Sequence, residues 1–205
     1  MANLKILSLN VGMSSNLAGL SNLLRVNPAD IVLLQEFRTS KEQLDNLLKG
    51  LDFSTAVNID EDSPTSPGTA VAWKNSLPVE DVFNFLKCRI QAIKLGDFLI
   101  VNAYAPSGSS KSHARNIFFS QDVFQVFNTF PDSSYILSGD FNCILSPIDV
   151  ENGLGFNSKY CAALKNLVSA YKLVDAFRVK SPRKEQFTFF RPGKDCKYPS
   201  RTSQR

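Results

Sequence analysis

A carboxylate and an amide lie two residues apart just after a short apolar run. The run is 135–137, and residues 138–142 that follow it read SGDFN, which places Asp140 and Asn142 near a predicted strand end. Side chains alternate across a strand, so these two point the same way. Together they can orient a water and contact a phosphate oxygen or a hard cation. The glycine just before Asp140, Gly139, allows a close backbone approach or an unusual dihedral angle.

Three further apolar runs each deliver a polar side chain near a C-terminal strand end. The runs lie within residues 5–11, 30–36 and 98–106. The polar residues they deliver are Asn10, Glu36 and Tyr104. In layered α/β proteins, loops and ligands gather at such strand ends. We therefore expect these side chains to meet Asp140 and Asn142 in one cleft.

Helices and strands are mixed along the chain without strict βαβ alternation. Leucines at helical spacing predict helices near residues 17–24 and 44–51, and a third helix is expected from an N-cap at Ser112 through residue 130. Strands are expected at 69–73, 79–86, 89–95 and 98–104, the last two joined by a hairpin at Gly96-Asp97. This mixture favours two packed sheets with helices outside them.

Bulk composition predicts one globular domain over residues 1–205. The chain is 43% hydrophobic and 20% charged, which suits a sizeable core and disfavours disorder. Neither a signal peptide nor an apolar run of membrane-spanning length is present, so we expect an intracellular protein of the cytoplasm or nucleus. The four cysteines form no CxxC motif, which predicts free thiols and no zinc site.

Positive charge is concentrated near the C-terminus. Residues 175–205 hold nine basic and three acidic side chains. A basic segment suits a polyanion such as DNA, although a solvated basic face has the same composition.

As an ordered set, the motifs resemble the endonuclease/exonuclease/phosphatase superfamily. Within it they are most similar to the endonuclease domain of non-LTR (LINE-type) retrotransposons, which is itself similar to apurinic/apyrimidinic endonucleases. The resemblance extends from about residue 4 to residue 201. The matching segments are SLN at 8–10, LLQE at 33–36, NAYAPSG at 102–108, SGDFN at 138–142, LVDAFR at 173–178 and FTFFRPG at 187–193.

The resemblance implies an α/β four-layer sandwich of two mixed sheets and a Mg²⁺-dependent DNA endonuclease, with Mn²⁺ as an alternative cation. It assigns Glu36 to the metal and Asn10 to the metal region. It assigns Asp140 to the attacking water, Asn142 to the phosphate, and the Tyr104 hydroxyl to the scissile phosphate. It also implies a monomeric domain that was originally part of a larger polyprotein with a reverse transcriptase.

Other matching residues are expected to brace the fold or touch DNA. Asp175 and Arg178 are interpreted as structural. The residues expected to contact DNA are Thr188, Arg191, Lys194, Lys197 and Arg201.

The family pattern breaks near the C-terminus. Relatives continue with further strands and an Asp-His pair, whereas this sequence ends at Arg205 and has one histidine, His113, at a predicted helix start on the surface. We expect the domain to lack its C-terminal strands and to turn over slowly. Two alternatives remain open: a non-catalytic remnant that binds DNA or a partner, and another phosphoesterase of the superfamily.

Overall fold

The computed structural model describes residues 3–12, 18–63, 66–150, 161–186, 189–191 and 200–202. The chain forms two compact units. The first combines Met1–Tyr104 with Val126–Asp140, and the second combines Ala105–Gln125 with Phe141–Arg205. Within the described ranges, no helix is long and apolar enough to cross a membrane.

The first unit contains two four-stranded sheets. Sheet A contains β1 (Ile6–Asn10), β2 (Ile31–Phe37), β3 (Phe53–Asn58) and β4 (Gly68–Lys74), in the order β1-β2-β4-β3. Its β1–β2 pair is parallel, and its other pairs are antiparallel.

Sheet B is formed by β5 (Asp81–Leu86), β6 (Ile90–Leu95), β7 (Phe98–Tyr104) and β8 (Ser134–Asp140), in sequence order. Its β7–β8 pair is parallel and the others are antiparallel. The predicted β6–β7 hairpin is present, because Leu95 pairs with Phe98 across the Gly96-Asp97 turn.

The two sheets pack face to face through an apolar layer. Its fully buried members come from both sheets: Ile31, Leu33, Val71, Ile93 and Ile100. Alternate residues of β2, among them Val32 and Leu34, face the opposite side of sheet A. Two mixed sheets with helices confirm the predicted α/β fold class.

Two helices cover the outer face of sheet A. They are α1 (Ala18–Val26) and α2 (Lys41–Leu48), and both follow the predicted leucine spacing. Their leucines pack on the β2 side chains that point away from sheet B; the leucines are Leu20, Leu24, Leu44 and Leu48. Ser40 is the N-cap of α2 and forms a capping box with Gln43. The Ser40 hydroxyl accepts a hydrogen bond from the Gln43 backbone amide, and the Gln43 side-chain oxygen accepts one from the Ser40 backbone amide.

The helical region after residue 108 differs from the prediction. It comprises α3 (Ser112–Ile117), a π-helical turn (Phe118–Asp122) and α4 (Val123–Thr129). The predicted N-cap Ser112 is instead the first helical residue, because a 3₁₀ turn precedes it and Lys111 occupies the cap position without a side-chain bond.

The remaining described α-helices and strands belong to the second unit. They are α5 (Ala162–Ala170), α6 (Ala176–Lys180), β9 (Phe189–Arg191) and β10 (Ser200–Thr202), with β9 and β10 paired as an antiparallel ribbon. Strand β9 lies in the FTFFRPG segment at 187–193, whose other residues, 187, 188, 192 and 193, lie outside the described ranges.

A buried polar bridge joins sheets A and B. The Gln35 amide donates to the Asn102 side-chain oxygen at 2.8 Å and to the Ser8 hydroxyl at 3.1 Å. The Asn102 amide in turn donates to the main-chain oxygens of Leu34 (3.0 Å) and Ala70 (3.1 Å). Because these groups are partnered, the bridge fixes the position of one sheet against the other.

Gly139 of β8 packs against the backbone of its register partner Ala103 in β7. Its φ is +138°, and a Cβ placed there would lie 1.9 Å from the Ala103 carbonyl oxygen. Both expectations for this glycine, the close approach and the unusual dihedral angle, are therefore confirmed.

We expect Gly139→Ala to be severely destabilising, since either the Ala103 carbonyl or the β8 backbone must move to make room. The loss should reach several kcal/mol, about that of other severe core lesions (~4 kcal/mol). Urea denaturation of the purified variants measures it. Gly96→Ala is the matched control: it also has positive φ (+55°), but no heavy atom lies within 4 Å of its added methyl. Equal losses in both variants would show that backbone strain alone, and not the contact, makes Gly139 necessary.

Candidate active site

One amide holds two carboxylates at the strand ends of the first unit. The Asn10 side-chain nitrogen donates to a Glu36 carboxylate oxygen at 3.0 Å and to an Asp140 carboxylate oxygen at 2.8 Å. The Asn10 side-chain oxygen accepts the Gly12 amide at 2.8 Å. Both ends of the Asn10 amide are thus engaged, which fixes its orientation and the spacing of the two acids.

Strand pairing explains why these residues meet. Asn10 ends β1 opposite Gln35 of the parallel strand β2, so Glu36 follows next to it. Asp140 ends β8, a strand of sheet B that contacts β1. The site therefore forms where the carboxyl ends of three strands come together.

Glu36 is turned towards Asn10 by a bulge in β2. The register with β4 shifts between Gln35 and Phe37, and Glu36 has φ +56°. Without the bulge, alternation would direct Glu36 to the helix-covered face together with Leu34; Phe37 occupies that face instead. Simple alternation in the sequence does not predict this redirection.

Tyr104 and Asp140 are neighbours in sheet B. They form the last register pair of the parallel strands β7 and β8, one residue beyond Ala103 and Gly139. Tyr104 is 3% exposed and Asp140 is 9% exposed, so both are largely withdrawn from water. The structure thus brings four of the five predicted site residues to one end of the first unit: Asn10, Glu36, Tyr104 and Asp140.

The fifth predicted residue, Asn142, belongs to the second unit. Its φ is +49°, a left-handed conformation that asparagine tolerates better than most residues. Its side-chain amide donates to the Ala105 carbonyl oxygen at 2.9 Å. Because the backbone turns at Asn142, the side chains there no longer alternate as they do along a strand. The prediction that Asp140 and Asn142 point the same way depended on that alternation.

The proposed DNA contacts are only partly within the described residues. Thr188, Lys194 and Lys197 lie outside them. Arg191 and Arg201 lie in the β9–β10 ribbon, where the backbone of Arg191 pairs with Ser200 and that of Arg201 with Phe190.

Asp175 and Arg178 organise a loop of the second unit. The Asp175 carboxylate caps α6 by accepting the Arg178 backbone amide at 2.9 Å. The Arg178 guanidinium pairs with buried Asp149 and donates to the Lys184 carbonyl oxygen at 2.9 Å. These contacts agree with a structural interpretation of the two residues. His113 is exposed in the first turn of α3.

The described cysteines are free thiols, as expected: Cys88, Cys143 and Cys161. A hydrogen bond with Cys143, assisted by the Ile144 backbone amide, outweighs burial and lowers the pKa of Cys161 to about 7. Cys196 lies outside the described residues.

The acids at the site suit a hard divalent cation. Glu36 and Asp140 provide oxygen donors on either side of one amide. Across the described ranges, no group of three or more His, Cys, Asp or Glu side chains is placed to hold a metal ion. Mg²⁺ keeps several of its waters and binds through one or two carboxylates, so this donor set fits Mg²⁺ and does not fit a closed zinc centre.

Comparison with known proteins gives a family match and fold matches. Residues 7–203 match the sequence profile of the Endonuclease/Exonuclease/phosphatase family. No curated protein matches the sequence. An AP endonuclease from Archaeoglobus fulgidus superimposes with a TM-score of 0.78 at 22% identity, covering 95% of this chain and 80% of that one.

Two Neisseria structures have the same fold. A 3′–5′ exonuclease from Neisseria meningitidis matches with a TM-score of 0.74 at 23% identity, over 91% of this chain and 78% of that one. A 3′ phosphatase from Neisseria bound to a product DNA hairpin matches with a TM-score of 0.78 at 19% identity, over 98% of this chain and 85% of that one.

We expect Glu36→Gly to be more stable than Glu36→Ala, by ~1 kcal/mol, because glycine adopts φ +56° without the strain of a side chain. Chemical denaturation of both variants measures the difference. At a strand position with negative φ the alanine variant should be the more stable one, because glycine there lowers stability by ~0.5–1 kcal/mol relative to alanine. Ser134, exposed in β8 and absent from the positive-φ residues, provides that control pair. The same order at both positions would contradict a strained bulge at Glu36.

Proposed function

Because this chain belongs to the Endonuclease/Exonuclease/phosphatase family, we propose that it is a divalent-metal-dependent phosphodiesterase that nicks DNA. The observation that carries the proposal is the Asn10 amide bonded to both Glu36 and Asp140. Two carboxylates at a fixed spacing supply what phosphodiester hydrolysis requires of a protein: a cation ligand and a group that orients or deprotonates water.

The two acids differ in environment, and the proposed division of labour follows from that difference. Glu36 is the more accessible, at a bulge, and is assigned to the cation. A bound Mg²⁺ would supply positive charge at a phosphate oxygen and would favour the departure of the leaving oxygen. Asp140 is buried and lies beside Tyr104; it is assigned to the attacking water, whose proton it accepts.

The remaining residues orient the reacting groups. Asn10 holds the carboxylates of Glu36 and Asp140 in place by donating to both of them. The Tyr104 hydroxyl is assigned to the scissile phosphate, where a donor would stabilise charge that develops in the transition state. Asn142 is assigned to a phosphate oxygen; its side-chain amide has two hydrogens, so this role does not require loss of the bond to the Ala105 carbonyl.

DNA is the proposed substrate for two reasons. Residues 175–205 are strongly basic, which favours a polyanion. The fold neighbours include an AP endonuclease and a phosphatase bound to a DNA hairpin. The residues assigned to DNA contact are Thr188, Arg191, Lys194, Lys197 and Arg201, and the four basic ones among them are assigned to phosphates.

Within the family, we propose that this domain is an endonuclease of the LINE-type retrotransposon group. The support for this assignment is the ordered motif set, above all NAYAPSG at 102–108 and FTFFRPG at 187–193. In this proposal the domain acts as a monomer on nuclear or cytoplasmic DNA, originally beside a reverse transcriptase in one polyprotein, and uses Mg²⁺ or Mn²⁺.

We expect the purified chain to convert supercoiled plasmid to open circles with Mg²⁺ or Mn²⁺ and not with EDTA. Glu36→Gln and Asp140→Asn should each lower the nicking rate by ~100-fold or more, because each removes the charge of a group assigned to the cation or to the water. Gel electrophoresis of the plasmid forms measures the rate. Matched controls are Glu42→Gln and Asp97→Asn, which neutralise exposed acids away from the site and should nick at the parent rate.

Three results would redirect the proposal. Nicking by Glu36→Gln or Asp140→Asn at the parent rate would indicate a different site or a contaminating nuclease. Salt-sensitive DNA binding without any turnover in either cation would support a non-catalytic binding module. Release of phosphate from a 3′-phosphorylated oligonucleotide without plasmid nicking would support another phosphoesterase of the family. The absolute nicking rate of the unsubstituted chain tests the slow turnover that the sequence predicts.

A further inference from the structure

Arg89 lies opposite Tyr104 at the open end of the β6–β7 hairpin. The paired register of these strands ends with Ile90 opposite Ala103. One residue further on, the Tyr104 backbone amide donates to the Arg89 carbonyl oxygen at 2.8 Å, so the ladder continues through Arg89 and Tyr104. Directly opposed residues of an antiparallel pair have their side chains on the same face.

The Arg89 side chain uses that placement to contact Tyr104 twice more. Its guanidinium carbon lies over the Tyr104 ring, 4.7 Å from the ring centroid. One guanidinium nitrogen also donates to the Tyr104 carbonyl oxygen at 3.2 Å. A planar guanidinium can stack on a ring and donate at its edge together, whereas a lysine ammonium is a single point charge.

The turn that carries Arg89 is itself anchored to sheet A. The side chain of Asn58, at the end of β3, donates to the carbonyl oxygens of Leu86 (2.8 Å) and Ile90 (3.1 Å). Its side-chain oxygen accepts the amide of Cys88 at 2.9 Å, and Cys88 has φ +65°. Asn58 is buried, so these three bonds hold the turn in one shape and fix the position of Arg89.

We propose that Arg89 is a positioning residue that holds the Tyr104 ring, and with it the Tyr104 hydroxyl, in the orientation used at the scissile phosphate. This inference rests on the role proposed for Tyr104. The backbone hydrogen bond fixes the position of the Tyr104 main chain, and the stacked guanidinium fixes the orientation of its ring. Small displacements of a reacting group have large effects on rate, so a side chain without a direct part in the chemistry can still govern turnover.

The test is a double-mutant cycle on plasmid nicking with Arg89→Met, Tyr104→Phe and the double variant. Methionine keeps much of the apolar stem and removes the guanidinium. We expect Arg89→Met to lower kcat ~10–100-fold with little change in KM, the scale on which misplacement of a reacting group acts. In the Tyr104→Phe background, which has no hydroxyl to position, the same substitution should lower kcat less than about threefold.

Arg89→Lys is the conservative variant and keeps a cation near the ring. It should recover part of the lost rate, between Arg89→Met and the parent. Lys87→Met is the matched control: it removes a positive charge from the same turn, where Lys87 pairs with Asp60 at 2.7 Å, and should keep the parental kcat. Equal effects of Arg89→Met in both tyrosine backgrounds, or a comparable loss in Lys87→Met, would overturn the inference.

An NMR spectrum of ring-labelled tyrosine tests the same contact without relying on turnover. We expect Arg89→Met to shift the Tyr104 ring resonances and Lys87→Met to leave them in place. If Arg89→Met shifts the Tyr104 ring resonances but the parent chain does not nick DNA, the result would support the Arg89–Tyr104 contact and contradict the proposed nuclease function. An unchanged Tyr104 signal in a folded Arg89→Met chain, shown by its other resonances and a cooperative melt, would overturn the inference whatever the nicking result.

Discussion

The Gln35–Asn102 hydrogen bond is the contact on which the geometry of the first unit depends. It crosses the interior between sheets A and B at 2.8 Å, and Asn102 also bonds two carbonyl oxygens of sheet A. Gln35 precedes Glu36 and lies opposite Asn10, so the bridge lies beside the residues of the candidate site. Loss of one partner would leave a buried amide unsatisfied, at ~1–3 kcal/mol, and would loosen the register between the sheets.

Two backbone features then direct the side chains at this end of the unit. The β2 bulge places Glu36 at positive φ and turns its carboxylate from the helix-covered face towards Asn10. In sheet B, Gly139 lets β8 approach the Ala103 carbonyl, which sets Asp140 beside Tyr104. Glu36 is strained because it is a non-glycine residue at positive φ, whereas Gly139 adopts its positive φ without that cost. Strain of this kind persists where the surrounding packing determines it, and it is concentrated at functional sites.

The sequence was most informative where periodicity carries the signal. Leucine spacing predicted α1 and α2, and alternation with a Gly-Asp turn predicted the β6–β7 hairpin. Strand β3 and the π-helical turn within the predicted long helix were missed, because neither has a distinct residue pattern. The placement of Arg89 over Tyr104 was also missed: it depends on strand register and on a turn held by Asn58, which are long-range contacts.

The electrostatics of the Asn10 cluster connect its structure to its proposed chemistry. Glu36 and Asp140 are both acidic, and one neutral amide separates them, with one hydrogen for each. Like charges at this spacing repel, and the burial of Asp140 reduces the solvent screening that would weaken the repulsion. The amide offers partial positive charge but no net charge, so it fixes the spacing without neutralising the pair. The arrangement therefore favours the binding of a cation, which would bring positive charge to the place where the proposed function puts a phosphate.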